Sequence, residues 1–490
     1  MSRTEDSARS TLLALAALTV VAALLRFPTL GEQSYWFDES VTVHLLRMDL
    51  GSMLRQIPES ESTPPLYYLI AWLWVKVFGL GEFGLRSLSA LIGTATVPLA
   101  FLAARELCSR RVGLAVAALA SVSPILIWYS QEARAYALLT ALSALSLWAF
   151  ARLLREPSGR AAAVWALASA FALASHYFAA FLVFPEAIWL AAAPLSRRTA
   201  APALGAVTLA ALALLPLALH QRSLDLASFI KGDSLVFRLA RAGKNLLVGF
   251  DSPLEHELAV VAVLIALAGA VGSFAWARGR ERSGSHVALA LGLLMVGLPL
   301  ALAVAHADYL DSRNLLPAWI PLMTVVVAGL LPAGRTGVAA LVLLGLLGLA
   351  GVIGVAVEPA WQREDWRGMA RALGPATGPR VIVTPAMGRR PLDIYLGRLP
   401  ALPPAGLPVR EIALLYPVRR KAGEEHPLPP PQLTTSGPGG LTLARRRVTD
   451  SYAVVVLRAP RAVPIDLISA LSLRPSPDED AAVLLQRPRP

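Results

Sequence analysis

Leucine- and alanine-rich runs of about 17–23 residues recur through the first three quarters of the chain, divided by short polar connectors. Runs of that length match helices that cross a hydrocarbon layer of about 30 Å. They predict spans at about 11–28, 84–106, 112–129, 135–154, 161–176, 178–195, 201–219, 258–277, 286–305, 315–332 and 336–357. Residues 1–28 read as a retained first span, because Arg26-Phe27-Pro28 stands where a cleaved leader would carry small residues.

The connectors alternate in basic charge. One set holds Arg110-Arg111, Arg152/Arg155/Arg160, Arg197-Arg198, Arg278/Arg280/Arg282 and Arg335. The positive-inside rule puts these five in the cytoplasm. The other set (29–83, 130–134, the turn at His176-Tyr177, 220–257, 306–314 and everything after 357) then faces outward, with the N-terminus inside. Residues 64–80 are apolar enough to be a further span, but a crossing there would move Arg110-Arg111 and every later basic connector outside. Parity therefore predicts an interfacial or re-entrant helix at 64–80, within a first outer loop at 29–83.

After 357 the pattern changes. Proline-rich stretches, a helical segment at 365–373 and β-like runs at 381–384 and 453–457 predict a small α/β domain over 358–490, in the exterior compartment. Its 19 Lys/Arg against 12 Asp/Glu leave it at +7. The fold class expected is thus a polytopic α-helical membrane protein of about eleven transmembrane helices over 1–357, with a C-terminal extracytoplasmic α/β domain.

Composition agrees. Of 490 residues, 56% are hydrophobic and 16% charged, against about 25% charged in an average soluble chain. Mean hydropathy is +0.57. The net charge of +12 does not point to nucleic acid, since no basic run with interleaved aromatics accompanies it. A single cysteine, Cys108, excludes an internal disulfide and a cysteine-based metal cluster.

Ionisable groups at a membrane boundary are costly to bury, and they gather in the outer connectors. Tyr35-Trp36-Phe37-Asp38-Glu39 sets two carboxylates among aromatics, where a carboxylate is suited to taking a proton; a solvated stop to span one is the plainer alternative. Glu132 and Arg134 sit in a connector so short that both belong at the bilayer lip, where they could also be an ion pair holding the turn. His176 marks the next outer turn, as an interfacial anchor or a functional group. Arg313 follows Asp311-Ser312, either of which could cap span ten.

Arg26-Phe27-Pro28 followed by Phe37-Asp38-Glu39, then Thr63-Pro64-Pro65-Leu66-Tyr67-Tyr68, Leu85-Arg86-Ser87-Leu88-Ser89-Ala90 and Ser123-Pro124 leading to Trp128-Tyr129-Ser130-Gln131-Glu132-Ala133-Arg134-Ala135-Tyr136, occur in that order. Together they resemble the GT-C glycosyltransferases of family 39 type, which include protein O-mannosyltransferases and the aminoarabinose transferase of lipid A. The resemblance covers roughly residues 10–357, and Arg313-Asn314-Leu315-Leu316-Pro317 resembles the family's late Arg-x-Leu-Leu-Pro signature. Thr63 departs from it, standing where the family carries a His or Lys-type residue.

The resemblance implies an inverting transfer of sugar from a polyprenyl-phosphate donor to a hydroxyl acceptor at the outer face of the plasma membrane. It implies Asp38 as general base with Glu39 beside it, and donor phosphate or sugar contacts from Glu132, Arg134, Tyr136, His176, Arg313 and Arg86. Arginine's planar fork suits the departing phosphate. The resemblance leaves metal dependence open, with a divalent cation as the one candidate cofactor. Two other classes compete. A multi-span transporter or lipid-linked-glycan flippase would place ionisable groups near span centres, whereas these spans are nearly free of charge. A non-catalytic anchor would have no need of Asp38.

Overall fold

Proline, glycine and capping residues cut the apolar runs into helices in the computed structural model, which describes residues 3–225, 233–250, 255–418, 434–474 and 480–488. The run Pro429-Pro430-Pro431 lies outside the described residues. In chain order the helices are α1 (Arg3–Arg26), α2 (Phe37–Leu46), α3 (Leu50–Ser60), α4 (Leu66–Phe78), α5 (Glu82–Leu107), α6 (Arg110–Val122), α7 (Pro124–Ser130), α8 (Tyr136–Arg155), α9 (Gly159–Ser175), α10 (Ala180–Ala192), α11 (Arg197–Ser223), α12 (Leu235–Val248), α13 (Glu255–Ala275), α14 (Gly279–Val304), α15 (Trp319–Leu330) and α16 (Arg335–Val357). Helices α17 (Trp366–Leu373), α18 (Arg389–Leu396) and α19 (Leu467–Leu471) accompany a later sheet. Eight helices among the described residues are long and apolar enough to cross a membrane, or nine if α6 and α7 form one bent span. Apolar helices Leu66–Phe78, Gly159–Ser175 and Tyr177–Ala192 are shorter. The protein is an integral membrane protein.

The chain divides into two compact units. Residues 1–30 and 45–353 form the first, and 31–44 with 354–490 form the second. In the first, side chains tie the connectors together in two sets. At the basic end, Arg155 Nη1 reaches Glu106 Oε1 at 2.5 Å, and Arg280 Nη2 donates to the carbonyls of Arg105 and Glu106 at 2.9 and 2.6 Å. At the other end, Gln131 Nε2 donates to Thr29 Oγ1 at 2.7 Å and to the Arg26 carbonyl at 3.0 Å. There also, Tyr177 donates to Gln221 Oε1 at 2.7 Å, and Gln221 Nε2 donates to the carbonyls of Ile57 and Thr63 at 3.3 Å each.

This second set bears on residues 64–80. Thr63, before α4, is held at the Gln221 end, while Arg86, in the first turns of α5, donates to the Leu30 carbonyl at 2.9 Å, beside the Gln131-bound end of α1. Both flanks of α4 thus lie at one end of the bundle. Its 13 residues extend only about 20 Å, short of the roughly 30 Å a crossing needs. The first loop is more structured than its composition suggests: α2 and α3 also form within it, α3 capped by Asp49 accepting from Ser52 N at 3.0 Å.

The run expected as one span at 112–129 is broken, with α6 and α7 bent by 58° at Ser123-Pro124. Proline has no N–H to return to the Ala120 carbonyl. Arg26, fully buried, supplies the missing donors: Nη2 to Ala120 O at 3.2 Å and Nη1 to Ser121 O at 3.1 Å. Close approach elsewhere depends on missing side chains. A Cβ on Gly329 of α15 would stand 1.8 Å from the Gly269 carbonyl of α13. Of the two carboxyls within the expected spans, Glu106 ends one and Glu186 lies well inside another: Glu186 of α10, buried, accepts from Ser146 Oγ at 2.5 Å and Trp165 Nε1 at 2.9 Å.

The second unit contains a six-stranded sheet in the order β3-β4-β5-β2-β1-β6, built from β1 (Arg380–Pro385), β2 (Leu407–Pro417), β3 (Ser436–Gly437), β4 (Leu441–Val448), β5 (Tyr452–Ile465) and β6 (Ala481–Gln486). Among the described strands only β1 and β2 pair in parallel, joined through α18. The predicted runs at 381–384 and 453–457 lie in β1 and β5, and the predicted helix is α17, capped by Asp365 accepting from Gly368 N at 2.8 Å. Alternate residues of β5 feed two cores. Val455 and Leu457 pack with Ile412 and Leu441, and Val454 and Val456 pack with Trp366 and Met369 of α17.

Candidate functional site

In the first unit, the connector between α7 and α8 is divided in purpose. Ser130 and Gln131 face α1: Arg26 Nε donates to Ser130 Oγ at 3.2 Å, and Gln131 covers the last carbonyls of that helix. Glu132 and Arg134 are both buried, at 1% and 8% exposure. The Arg134 backbone N–H donates to the Glu132 carbonyl at 2.8 Å. The fork of Arg134 meets Glu61, at the end of α3, in two 2.8 Å hydrogen bonds. The guanidinium also lies 6.0 Å from the ring of Tyr68, whose hydroxyl is 3.1 Å from Thr63 Oγ1.

Tyr136 opens α8 and begins an aromatic row. Its ring lies 4.8 Å from Tyr129 and 5.5 Å from His176; His176 lies 5.2 Å from Phe178, and Phe178 lies 6.0 Å from Tyr309. His176 is buried and caps a 3₁₀ turn, its Nδ1 accepting from Phe178 N at 3.3 Å. Arg134 and Arg313 both act on His176 electrostatically, and Tyr129 feels Asp311, Arg313 and Glu132. Glu132, Arg134, Tyr136, His176 and Arg313 are therefore brought into one neighbourhood from three connectors. Arg313 sits 3.4 Å from Asp311, which caps the turn at Ser312–Ala318 by accepting from Arg313 N at 3.1 Å. Arg86 is buried in α5, and its guanidinium donates to the Leu30 carbonyl at 2.9 Å.

Residues not singled out by the sequence frame this cluster. Glu61 is one. Arg238 of α12 makes a two-pronged pair with Asp308 and donates to the Leu310 carbonyl at 3.1 Å. Asn245 Nδ2 donates to Ser312 Oγ at 2.8 Å. These contacts fix the strand of chain that carries Asp311 and Arg313. No spacing in the sequence could have joined them, since each pair is separated by more than 60 residues.

Asp38 and Glu39 belong to the second unit. Helix α2 begins at Phe37, and Ser40 N returns to Trp36 O at 2.9 Å. Glu39, fully buried, reaches back so that Oε2 accepts from Trp36 N at 3.5 Å, as an acid three residues past an N-cap does. Asp38 is half-buried. The adjacent acids are thus unlike: Glu39 covers the helix start, and Asp38 retains access to solvent. Among the described residues no three His, Cys, Asp or Glu side chains gather as a metal-binding set.

The described residues form a helix-rich integral membrane protein with a small sheet-containing unit. Residues 62–220 match the family model described as dolichyl-phosphate-mannose-protein mannosyltransferase. Among solved structures the chain is similar to ArnT from Cupriavidus metallidurans bound to undecaprenyl phosphate, with 13% identity, coverage of 93% of this chain and 99% of that one, and a TM-score of 0.51. It is also similar to the archaeal oligosaccharyltransferase AglB from Archaeoglobus fulgidus in complex with an inhibitory peptide and a dolichol-phosphate, at 12% identity, 74% and 57% coverage and TM-score 0.47. A third likeness is to the S. cerevisiae protein O-mannosyltransferase Pmt1–Pmt2 complex bound to the sugar donor, at 18% identity, 45% and 33% coverage and TM-score 0.32. No curated protein matches by sequence. The family match and the ArnT-like fold bear out the resemblance to GT-C glycosyltransferases of family 39 type.

Proposed function

We propose that the protein is an inverting glycosyltransferase that moves a sugar from a polyprenyl-phosphate donor to a hydroxyl of a protein, lipid or glycan acceptor. The reaction is placed at the outer face of the plasma membrane, with the N-terminus cytoplasmic and the C-terminal unit extracytoplasmic. The observation that carries the reading is the buried set of Glu132, Arg134 and His176 beside the aromatic row Tyr129–Tyr136–His176–Phe178–Tyr309, within a chain of this fold. A fixed cation beside an aromatic row suits an anionic leaving group and the sugar it carries. The clustering of arginines at the opposite end of the bundle supports the orientation.

In the step proposed, the acceptor oxygen attacks the anomeric carbon opposite the phosphate. The carbon–oxygen bond to phosphate breaks, its electron pair going to the phosphate oxygen, and Asp38 takes the acceptor proton. A hydroxyl has a pKa far above 7, so a positioned base contributes typically ~10²–10⁴-fold. Arg313 receives the phosphate charge, and Arg134, held by Glu61, adds to the field. Glu132, Tyr136 and His176 contact the sugar or its phosphate. Arg86 takes the supporting part, holding the turn after α1 through the Leu30 carbonyl.

Membranes containing the protein, incubated with labelled polyprenyl-phosphate sugars, should transfer one label to an acceptor and release polyprenyl phosphate. Movement of labelled lipid between leaflets without any glycosidic transfer would replace this reading with the flippase alternative.

A further inference from the structure

Local bonds close the start of the helix that carries Asp38, at Trp36, but not the segment that leads into it. Between α1 and α2 the chain at 34–36 has no helix or strand, so its backbone groups need partners from elsewhere. The second unit provides them. Arg367 Nη2, on α17, donates to the carbonyls of Gly31 and Glu32 at 3.0 and 2.6 Å. Arg363 N donates to Gln33 Oε1 at 3.2 Å. Ser34 Oγ donates to the Glu364 carbonyl at 2.8 Å and accepts from Trp366 N at 3.0 Å. Tyr35 N donates to Tyr395 Oη, on α18, at 2.7 Å. The guanidinium of Arg363 stands 5.8 Å from the ring of Trp36. Ser34 and Tyr35 are 2% and 1% exposed, so water cannot replace these partners.

The anchors are themselves rigidly mounted. Trp366 is fully buried in the core formed by α17, α18 and one face of the sheet. Every residue from 31 to 36 is thus fixed to the C-terminal unit, and α2 starts at the next residue. A general base must sit within hydrogen-bond reach of the proton it removes, and misplacement by about 1 Å can cost on the order of 100-fold.

We propose that the C-terminal unit is a positioning device for Asp38, with Ser34, Tyr395 and Arg367 as positioning residues that set where α2 begins. The inference rests on the reading of Asp38 as the base. The C-terminal unit then contributes to turnover without touching donor or acceptor. Its cationic surface is not needed for that part.

The test uses the full chain in membranes or detergent. Tyr395→Phe deletes the acceptor for Tyr35 N–H, Ser34→Ala deletes both hydroxyl bonds, and Ser34→Thr restores a hydroxyl. For Tyr395→Phe and Ser34→Ala, kcat should fall by roughly tenfold to 100-fold, with donor KM within about twofold. Amide exchange of residues 31–44 should quicken while that of β1 stays protected, and Ser34→Thr should recover most of the rate. Unchanged kcat, unchanged exchange at 31–44, or a rise in donor KM equal to the loss in kcat/KM would each overturn the proposal. Asp38→Asn is the separate arm. If it keeps wild-type activity, the base assignment fails whatever the anchors do; if it is inactive while both anchor variants are normal, only the positioning role fails.

Discussion

Arg134 and Glu61 form a two-pronged ion pair, 2.8 Å on each prong, with side chains 10% and 3% exposed. Burying both charges is costly, and their attraction offsets that cost only while both are present. Glu61→Ala should therefore destabilise the protein by about 3–5 kcal/mol, read as a lowered unfolding midpoint in detergent. A Glu61→Leu/Arg134→Met double variant should recover most of the stability. Loss of transfer in that stable double variant would show that Arg134 serves the donor as well as the fold; full activity would leave it a structural residue.

Asp38→Asn is nearly isosteric and removes the proton acceptor. Transfer should drop at least about 100-fold with expression unchanged, measured with the labelled donor that the wild type accepts. Glu39→Gln should be milder in rate and larger in stability, because Glu39 accepts the Trp36 N–H at the start of α2. Equal effects of the two substitutions would contradict the division of labour between them.

Arg313→Lys replaces a planar fork by a point charge, which cannot reproduce two-pronged contact with a phosphate. Donor turnover should fall by at least tenfold, while the cap from Asp311, which uses the backbone N–H of residue 313, persists. A lysine variant with normal donor kinetics would remove Arg313 from the phosphate role.

Cys108 is buried, its Sγ 3.7 Å from the Glu281 carbonyl, and burial, aided by the Glu281 carboxylate, pushes the thiol up to about 12. The thiolate is the reactive form, so the native cysteine should resist maleimide at pH 7–8 until the protein unfolds. Because it is so quiet, a Cys108→Ser background should behave as wild type. In that background cysteines placed at 131 or 436 should react with an impermeant reagent in intact cells, and one at 110 should not. Labelling at 110 alone would show that 64–80 crosses the membrane.

Gly329 meets the Gly269 carbonyl so closely that a methyl group would stand 1.8 Å from it. Gly329→Ala should part α13 from α15 and cost about 1–3 kcal/mol, seen in the unfolding midpoint. Gly297→Ala, where a Cβ meets nothing within 4 Å, is the control and should be neutral.

The amino-acid sequence by itself determined the membrane class, the apolar helices, the alternation of basic connectors and the strands at 381–384 and 453–457. Each of these reports the transfer of one segment from water to lipid or the local period of one element, and such terms are set by neighbours in the chain. Its motifs also pointed to Glu132, Arg134, Tyr136, His176 and Arg313, which the fold gathers. Tertiary structure alone decided that Arg134 pairs with Glu61, that Arg26 satisfies the Ala120 carbonyl freed by Pro124, and that the Asp38 segment joins the C-terminal unit. In lipid, apolar side chains gain little by leaving the solvent for one another, so hydrophobicity does not say which helix meets which. Those partnerships follow from shape, small residues and buried hydrogen bonds between segments up to 336 residues apart, as Gly31 and Arg367 are.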